Sequence, residues 1–332
     1  MCALSCPLIV QSISIIWPSL CRFTARSCDT WRVIDPRRLR VLRALADHGT
    51  VTAAARALYL SPSAVSQQLA ALEAEAGHPL LERVGRAVRL TPAGHVLAAH
   101  ASLIAAQLER AEADLAACST GTVGDVTIAA FATAITEVVA PAVAWLRTTT
   151  PSLRVRVRDA EGNASVPLLA DREIDVAVAV EYRGAPAEDD QRVLREPLYA
   201  EPFDVVLPAV HPLAAAPEVS LAALATETWI VPWPGNPCHD VVMLACERAG
   251  FQPRVDCLSD DFRAVAALAA AGAGVGLVPR SALRGVDLAG AVVHPMAGDP
   301  PTRRVFTAVR RGGESHPLWT VVLAALRRHA PT

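Results

Sequence analysis

Between residues 35 and 94, apolar side chains recur at helical spacing in three short segments that are separated by turn residues. Leu39, Leu42 and Leu45 mark the first segment and predict a helix from about Pro36 to Asp47. Proline suits the first position of a helix because an N–H there would have no partner within the helix. The pattern therefore begins with one short amphipathic helix, which His48-Gly49 ends.

Two more short helices follow in the pattern. We expect the second from about Ala53 to Leu58, with the hydroxyl of Thr52 capping its first turn. Tyr59-Leu60 forms a tight turn, Ser61 caps the third helix, and Pro62 fills its first position. In this third helix the expected inward positions are Val65, Leu69 and Leu72, and the expected outward positions are Ser63, Ser66, Gln67 and Ala70.

A basic turn comes next and ends in Leu90-Thr91-Pro92-Ala93-Gly94. Three helices followed by such a turn are typical of a winged helix-turn-helix, in which one helix enters the major groove of DNA. Glutamine can bond adenine N6 and N7 together, and serine can bond base edges or a phosphate. The candidate DNA-binding residues are therefore Arg37, Thr52, Ser61, Pro62, Ser63, Ser66, Gln67, Arg83, Arg86 and Arg89.

The charge distribution favours the same part of the chain for contact with DNA. Residues 35–95 contain 8 Arg and 5 acidic residues, whereas residues 125–332 contain 19 Arg and 24 acidic residues. Because the third helix has no Arg before Glu73, Arg37 and the basic turn must supply most of the phosphate attraction. The alternative is an alanine-rich helical hairpin whose Arg residues form a solvated face.

A longer helix is predicted to begin at Thr91-Pro92 and to reach about Ala117. Its apolar positions alternate by four and three residues, which is the pattern of a coiled-coil seam that needs a partner. Packing of this seam on the chain's own domain is the alternative to a dimer. The residues of the seam are Leu97, Ala101, Ile104, Leu108, Ala111 and Leu115. A Ser/Thr/Gly stretch from 119 to 124 then predicts a hinge, so that the linker and hinge cover residues 95–124.

From residue 125 to 332, strands alternate with helices, which predicts an α/β domain with a parallel sheet. The order of the elements predicts two lobes with a cleft between them. We expect lobe I to comprise about 125–190 and 285–332, and lobe II about 191–284.

Ligands of parallel sheets lie beyond the carboxyl ends of strands, near exposed helix N-termini. This rule selects three loops, at Phe131-Ala132-Thr133, at residues 161–165 and at Pro234-Gly235-Asn236. The expected polar ligand contacts are Thr133, Asn163, Ser165 and Asn236, with Phe131 and Trp233 as walls.

From Asp35 onward, nearly the whole chain resembles the LysR-type transcriptional regulators. The motifs that carry the resemblance are Asp35-Pro36-Arg37-Arg38-Leu39-Arg40, Thr52-x-Ala54-Ala55, Ser61 with Ala64-Val65-Ser66, Leu72-Glu73, Leu80-Leu81-x-Arg83 and Leu90-Thr91-Pro92-x-Gly94. The chain departs from the family at Pro62, where glutamine is frequent, and at Gln67, where arginine is frequent.

The resemblance implies an all-α winged helix-turn-helix over residues 34–94, a linker helix and a two-lobed effector domain similar to periplasmic solute-binding proteins. It also implies antiparallel pairing of two linker helices, and a small metabolite between the lobes, frequently a carboxylate. The expected partners are double-stranded DNA, a small-molecule effector, further copies of the chain in a homodimer or homotetramer, and RNA polymerase.

Two other functions remain as alternatives. Cys238 and Cys246 loosely resemble the reactive pair of peroxide-sensing members of the same family, although eight residues on a helix span about 12 Å, too far for a disulfide. A solute-binding protein without gene control is the second alternative. An enzyme is not expected, because the nine His are dispersed and no G-x-S-x-G occurs, and neither a metal nor a cofactor is expected.

The remaining features of the composition concern location. The eight Cys are scattered and do not suggest a disulfide framework, so a reducing cytoplasm is expected. Residues 1–33 contain a short apolar run whose basic residues follow it instead of preceding it. We therefore expect a disordered extension or a misassigned start there, not a signal peptide.

Overall fold

The computed structural model describes residues 33–85, 87–118 and 123–331. The expected N-terminal extension up to residue 32, the DNA-binding candidate Arg86 and the hinge residues 119–122 lie outside the described residues. No helix in the described ranges is long and apolar enough to cross a bilayer.

The N-terminal domain contains the three expected helices. They are α1 (Pro36–His48), α2 (Val51–Ala57) and α3 (Pro62–Ala76). Asp35 caps α1 by accepting from the N–H of Arg37, and Ser61 caps α3 by accepting from the N–H of Ala64. Their inward faces meet around Leu42, Val65 and Leu72, which are fully buried.

The cap of the second helix was predicted at the wrong threonine. Thr50, not Thr52, has the extended backbone of a capping residue, and its hydroxyl accepts from the N–H of Ala53. Gly49 ends α1 in the left-handed conformation, so the chain turns at once and α2 begins at Val51. Thr52 lies inside the first turn of α2, exposed to solvent.

The basic turn forms a two-stranded wing of β1 (Leu81–Val84) and β2 (Ala87–Leu90). The strands pair antiparallel, with Glu82 opposite Arg89 and Arg83 opposite Val88. Thr91 then caps the 26-residue linker helix α4 (Pro92–Ala117) by accepting from the N–H of Gly94. The linker helix packs along α1, and Ala98 and Ala101 belong to the core of the N-terminal domain.

The C-terminal domain is built on one mixed sheet with helices on its faces. The strands are β3 (Gly124–Ala130), β4 (Leu153–Asp159), β5 (Val176–Val180), β6 (Val193–Pro208), β7 (Thr228–Val231), β8 (Arg254–Leu258), β9 (Val275–Pro279), β10 (Ala291–His294) and β11 (Thr302–Arg310). The helices are α5 (Ala132–Ala134), a π-helical turn (Ile135–Val139), α6 (Ala140–Thr149), α7 (Gly162–Ala170), a 3-10 turn (Leu221–Leu224), α8 (Pro237–Arg248), α9 (Phe262–Ala270) and α10 (Pro317–His329).

The order of the strands is β4-β3-β5-β11-β6-β9-β7-β8, with β10 beside β6. The strands at each end pair in parallel, but β11 and β6 run antiparallel to their neighbours, so the expected parallel sheet is mixed. The first half of the long strand β6 pairs with β11, and its second half pairs with β9 and β10. This single strand therefore joins the two lobes.

The expected boundaries of the lobes need correction at both crossings. Because β10 pairs with Val205–Pro208 of β6, residues 291–294 belong to lobe II and not to lobe I. Because the first part of β6 pairs with β11, the chain leaves lobe I within β6 and not at residue 191. The chain returns to lobe I only at β11. Each lobe has its own apolar core, around Val178 in lobe I and around Trp229 in lobe II.

Candidate DNA-binding surface and ligand cleft

The outer face of α3 is exposed and consists of small or polar side chains, as expected. Ser63, Ser66, Gln67 and Ala70 are all exposed. The Ser66 hydroxyl donates to the carbonyl of Pro62 at 2.9 Å, and the hydroxyls of Ser61 and Ser63 lie 2.9 Å apart. The Gln67 amide makes no hydrogen bond within the described residues, so its donor and acceptor are both available to a base edge.

Two glutamates hold α3 in place, and sequence reasoning did not assign them this role. One carboxylate oxygen of Glu73 accepts from the backbone N–H groups of Leu80 and Leu81 at 2.8 and 3.0 Å, which fixes the start of the wing. Glu75 accepts from the N–H of Asp35 at 3.2 Å and pairs with the Arg38 guanidinium, which fixes the start of α1. Both glutamates therefore hold α3 in a fixed position relative to the basic residues.

The basic residues of the wing lie on its two faces. Arg83 shares a face with Leu81 and Val88, whereas Arg89 shares the other face with Glu82, directly opposite it. Both Arg side chains are exposed. Since Glu82 partly offsets the charge of Arg89, Arg83 is the stronger candidate for a phosphate contact. Arg37 is exposed on the first turn of α1.

The predicted seam of the linker helix is divided between two environments. Leu97 and Ala101 pack against the core of the N-terminal domain. Ile104, Leu108 and Leu115 are 42%, 56% and 71% exposed, and Ala111 is also exposed. The alternative of packing on the chain's own domain thus holds for the first part of the seam, and the second part forms an open apolar stripe.

The opposite face of the linker helix packs on lobe I through buried charges. Glu109, which is 5% exposed, accepts from the guanidinium groups of Arg310 and Arg172 at 2.8 and 2.6 Å. Arg172 also reaches Glu112 at 3.0 Å. A cavity of about 340 Å³ lies between α1, α4 and lobe I.

Helix α1 makes a second set of ion pairs with lobe I. Asp47 pairs with Arg192 at 2.9 Å, and His48 lies 3.0 Å from the carboxylate of Asp171. The N-terminal domain is therefore joined to the C-terminal domain both directly, through α1, and through the linker helix.

A cavity of about 540 Å³ lies between the two lobes, at the ends of β3, β4 and β8. Phe131 forms one wall of this cleft, and Phe262 lies on the opposite lobe. Among the six predicted contacts, Phe131, Thr133 and Asn236 line the cleft. Asn236 also caps α8, because its side chain accepts from the N–H of Cys238 at 2.8 Å.

The other three predicted ligand contacts lie elsewhere. The Asn163 amide donates to the carbonyl of Gly235 at 2.9 Å, so this side chain connects the two lobes instead of facing the cavity. Ser165 is fully buried in α7, and Trp233 is 56% exposed outside the cavity lining. All three follow strands, as expected, but none of them lines the cavity.

Sequence reasoning missed the central cation of the cleft. Arg303 of β11 is 1% exposed and donates to the carboxylate of Glu201 at 2.6 and 2.9 Å and to the hydroxyl of Thr133 at 2.8 Å. Its guanidinium also lies 4.9 Å from the centroid of the Phe131 ring. Glu201 in turn accepts from the N–H of Ser281 at 2.6 Å, so the pair connects both lobes at the base of the cleft.

The carboxylates around the cleft are more numerous than its arginines. The charged residues of its lining are Glu137, Asp159, Glu161, Asp260, Asp261, Arg263, Arg284 and Arg303. Burial raises the pKa of Glu161 and the neighbouring carboxylates of Asp260 and Asp159 raise it further, although Arg303 acts in the opposite direction. Among the described residues, no group of side chains could hold a metal ion.

The two cysteines of α8 are buried thiols. Cys238 is 4% exposed at the edge of the cleft, and Cys246 is fully buried. Burial raises the pKa of Cys238 to about 11, although the nearby Arg303 acts in the opposite direction, and burial raises that of Cys246 to about 12. Both groups are therefore thiols at neutral pH, which argues against the thiol switch.

Both parts of the chain match families of bacterial regulatory proteins. Residues 36–95 match the bacterial regulatory helix-turn-helix proteins of the lysR family, and residues 119–331 match the LysR substrate binding domain. The small neutral protease regulatory protein of Streptomyces coelicolor is 32% identical over 287 residues, 85% of this chain and 83% of that protein. The probable hydrogen peroxide-inducible genes activator of Mycobacterium avium is 31% identical over 249 residues, 74% of this chain and 78% of that protein.

Solved structures share the fold. A full-length OxyR variant from Pseudomonas aeruginosa has a TM-score of 0.61 and 24% identity, and covers 90% of this chain and 98% of its own. The regulator CbnR bound to its target DNA has a TM-score of 0.53 and 24% identity, and covers 90% and 100% of the two chains.

Proposed function

The chain belongs to the LysR family of DNA-binding transcriptional regulators, and we propose that a small molecule bound in its interlobe cleft controls how its helix-turn-helix domains meet DNA. The observation that carries the proposal is the 540 Å³ cavity, whose walls come from both lobes of a domain joined to α1 and α4 by ion pairs. A ligand can shift the DNA-binding domains only through a difference in its affinity for two arrangements of the chain. Ligand-dependent movement of one lobe against the other would supply such a difference.

On DNA, we assign specificity to α3 and affinity to the basic residues outside it. Gln67 is exposed and makes no hydrogen bond in the described part of the chain, whereas the neighbouring serine hydroxyls are partly engaged in bonds within α3. One bidentate base contact contributes about 1–3 kcal/mol of discrimination. A phosphate contact by Arg83 contributes to binding at every sequence.

Paired variants test this division of roles. Gln67→Ala should reduce the ratio of the affinity for operator DNA to the affinity for unrelated DNA by about five-fold or more. The salt dependence of binding should change little. Arg83→Ala should weaken both complexes alike and reduce the slope of log K against log salt by about 1. The matched controls Gln252→Ala and Arg248→Ala, both exposed on lobe II, should bind as the unaltered chain does. If Gln67→Ala and Arg83→Ala changed sequence discrimination and salt dependence to the same extent, the separate assignment of specificity to α3 and affinity to the basic residues would be wrong.

We further propose that the open stripe of α4 pairs with the same stripe of a second copy, in a homodimer or homotetramer. Leu108 is 56% exposed at the centre of this stripe, and a second copy would bury it. A single domain with few phosphate contacts also gains affinity when two domains bind successive half-sites.

Sedimentation of a charge variant tests the pairing. Leu108→Glu should sediment as a monomer and bind DNA at least about tenfold more weakly, because a buried unpaired carboxylate opposes pairing. Leu244→Glu places the same charge on another exposed leucine, 46% exposed on α8, and should leave the assembly unchanged. A Leu108→Glu protein that remains dimeric would rule out this stripe as the interface.

In this proposal the regulator acts in the cytoplasm and contacts RNA polymerase when bound at a promoter.

A further inference from the structure

We infer that the ligand of the interlobe cleft carries a cationic group, a primary amine or a guanidinium, that lies against Glu161. The inference rests on the proposed role of the cleft as the effector site. It differs from the carboxylate ligand that the family resemblance suggested. The cavity defines the site, and the charge of its complete lining defines the class of ligand.

Two of the three arginines in the lining are already neutralised by partners. Arg303 pairs with Glu201 at 2.6 Å at the base of the cleft, and Arg284 pairs with Glu137 at 2.8 Å across the two lobes. An anionic ligand would have to compete with these carboxylates for the same guanidinium groups. Only Arg263 remains without an ion pair in the described structure, and it is exposed to solvent.

Four carboxylates of the lining have no such partner. Asp159 ends β4 and Glu161 follows it in lobe I, and Asp260 and Asp261 follow β8 in lobe II. In the described ranges none of the four forms an ion pair; Arg263 opposes their charge, and the paired Arg303 also acts on Glu161 by lowering its pKa. The lining therefore has an excess of negative charge once its two ion pairs are set aside.

The carboxylates also meet across the cleft. Asp260 uses one oxygen to accept from the N–H of Trp233 at 2.9 Å, and Asp261 caps α9 by accepting from the N–H of Arg263 at 2.8 Å. Glu161 has no side-chain hydrogen bond in the described structure. Its pKa is raised by burial and by the nearness of Asp260 and Asp159, although Arg303 acts in the opposite direction. Like charges on two lobes oppose closure of the cleft, and a cation between them would favour it.

The sign of the potential in the cleft can be measured without knowing the ligand. Thr136 is exposed in the cleft lining, and Thr136→Cys places a thiol there in the full-length chain. The probes are two methanethiosulfonate reagents, a cationic one with a trimethylammonium-ethyl group and an anionic one with a sulfonato-ethyl group. Mass spectrometry of the digested protein measures how fast each cysteine-containing peptide is modified. Val210→Cys, at a position 93% exposed on the surface, is the matched control.

A negative cleft should favour the cationic reagent. At each cysteine we compare the rate of modification by the cationic reagent with the rate of modification by the anionic reagent. This rate ratio at Thr136→Cys, divided by the same ratio at Val210→Cys, is the normalised ratio and should reach about tenfold at low salt. Adding Glu161→Gln and Asp159→Asn should reduce this value at least about threefold, whereas adding Glu218→Gln, an exposed glutamate outside the lining, should not.

A normalised ratio below about threefold in the unaltered lining would overturn the inference. A normalised ratio that Glu161→Gln leaves unchanged would also overturn it. Circular dichroism of each variant checks that the fold is retained. The proposed function fails differently, through the absence of any metabolite that changes DNA binding, and that measurement uses no thiol reagent. The two failures can therefore be told apart.

Discussion

Replacement of Arg303 by methionine is the most informative change to the effector domain. Its side chain is 1% exposed, and it is the counterion of Glu201, which is 7% exposed. Arg303→Met keeps the length and apolar stem of the side chain but leaves the Glu201 carboxylate buried without its counterion. Loss of one partner of a buried pair costs about 3–5 kcal/mol, and the lost contact with the Phe131 ring adds about 0.5–1 kcal/mol.

Urea unfolding, followed by circular dichroism and tryptophan fluorescence, measures this cost. With an m-value of about 2–3 kcal/mol/M, the midpoint of Arg303→Met should fall by about 1–3 M. The double variant Arg303→Met with Glu201→Gln should recover at least half of this loss, because it removes the buried charge. The glutamine amide oxygen could still accept from the N–H of Ser281. A midpoint that moves by less than about 0.3 M in Arg303→Met would refute the reasoning, since the guanidinium would then not balance a buried charge.

Three further predictions concern other parts of the chain. Gly94→Ala should lower the unfolding free energy of the DNA-binding domain by about 2 kcal/mol or more, since a Cβ there meets the backbone carbonyl of Leu80; an unchanged melting curve would contradict this. Burial lowers the pKa of His316 below 6.5, so the unfolded chain binds the proton more readily and stability should fall as the pH drops below 6.5. His316→Phe should flatten that decline in calorimetry, and an equal decline in the variant would exclude His316 as its source. Mild peroxide should leave Cys238 and Cys246 uncrosslinked by mass mapping because both are buried thiols, whereas a crosslink would revive the redox alternative.

The local elements of the DNA-binding domain could be predicted because their signals are local. Helix periodicity, the proline at the start of α3 and the cap at Ser61 all lie within a few residues of the structures that they determine. The error at the cap of α2 shows the limit of such signals, since Thr50 and Thr52 are chemically equal candidates. The left-handed Gly49, which ends α1 one residue before Thr50, decides between them.

The cleft could be predicted only in outline, because its chemistry joins residues that are far apart in sequence. The rule of strand ends selected Phe131, Thr133 and Asn236, which line the cleft, and their contact with a ligand stays a prediction. Arg303 reaches Thr133 across 170 residues, because β11 returns to lobe I after the whole of lobe II has been built. Nothing near Arg303 in the sequence indicates that neighbour. The same return path explains the misplaced lobe boundaries, since β10 pairs with β6 before the chain leaves lobe II.

In the proposed function, α3 recognises the base sequence of DNA and basic residues outside α3 provide most of the affinity. Mobility-shift titration of the full-length protein against the promoter region beside its gene, at several salt concentrations, measures both contributions. We expect a sequence-preferring complex whose affinity falls steeply with salt. Gln67→Ala should reduce the sequence preference, and Arg83→Ala should reduce the salt slope. The absence of any salt-sensitive complex at any sequence would contradict the proposed function.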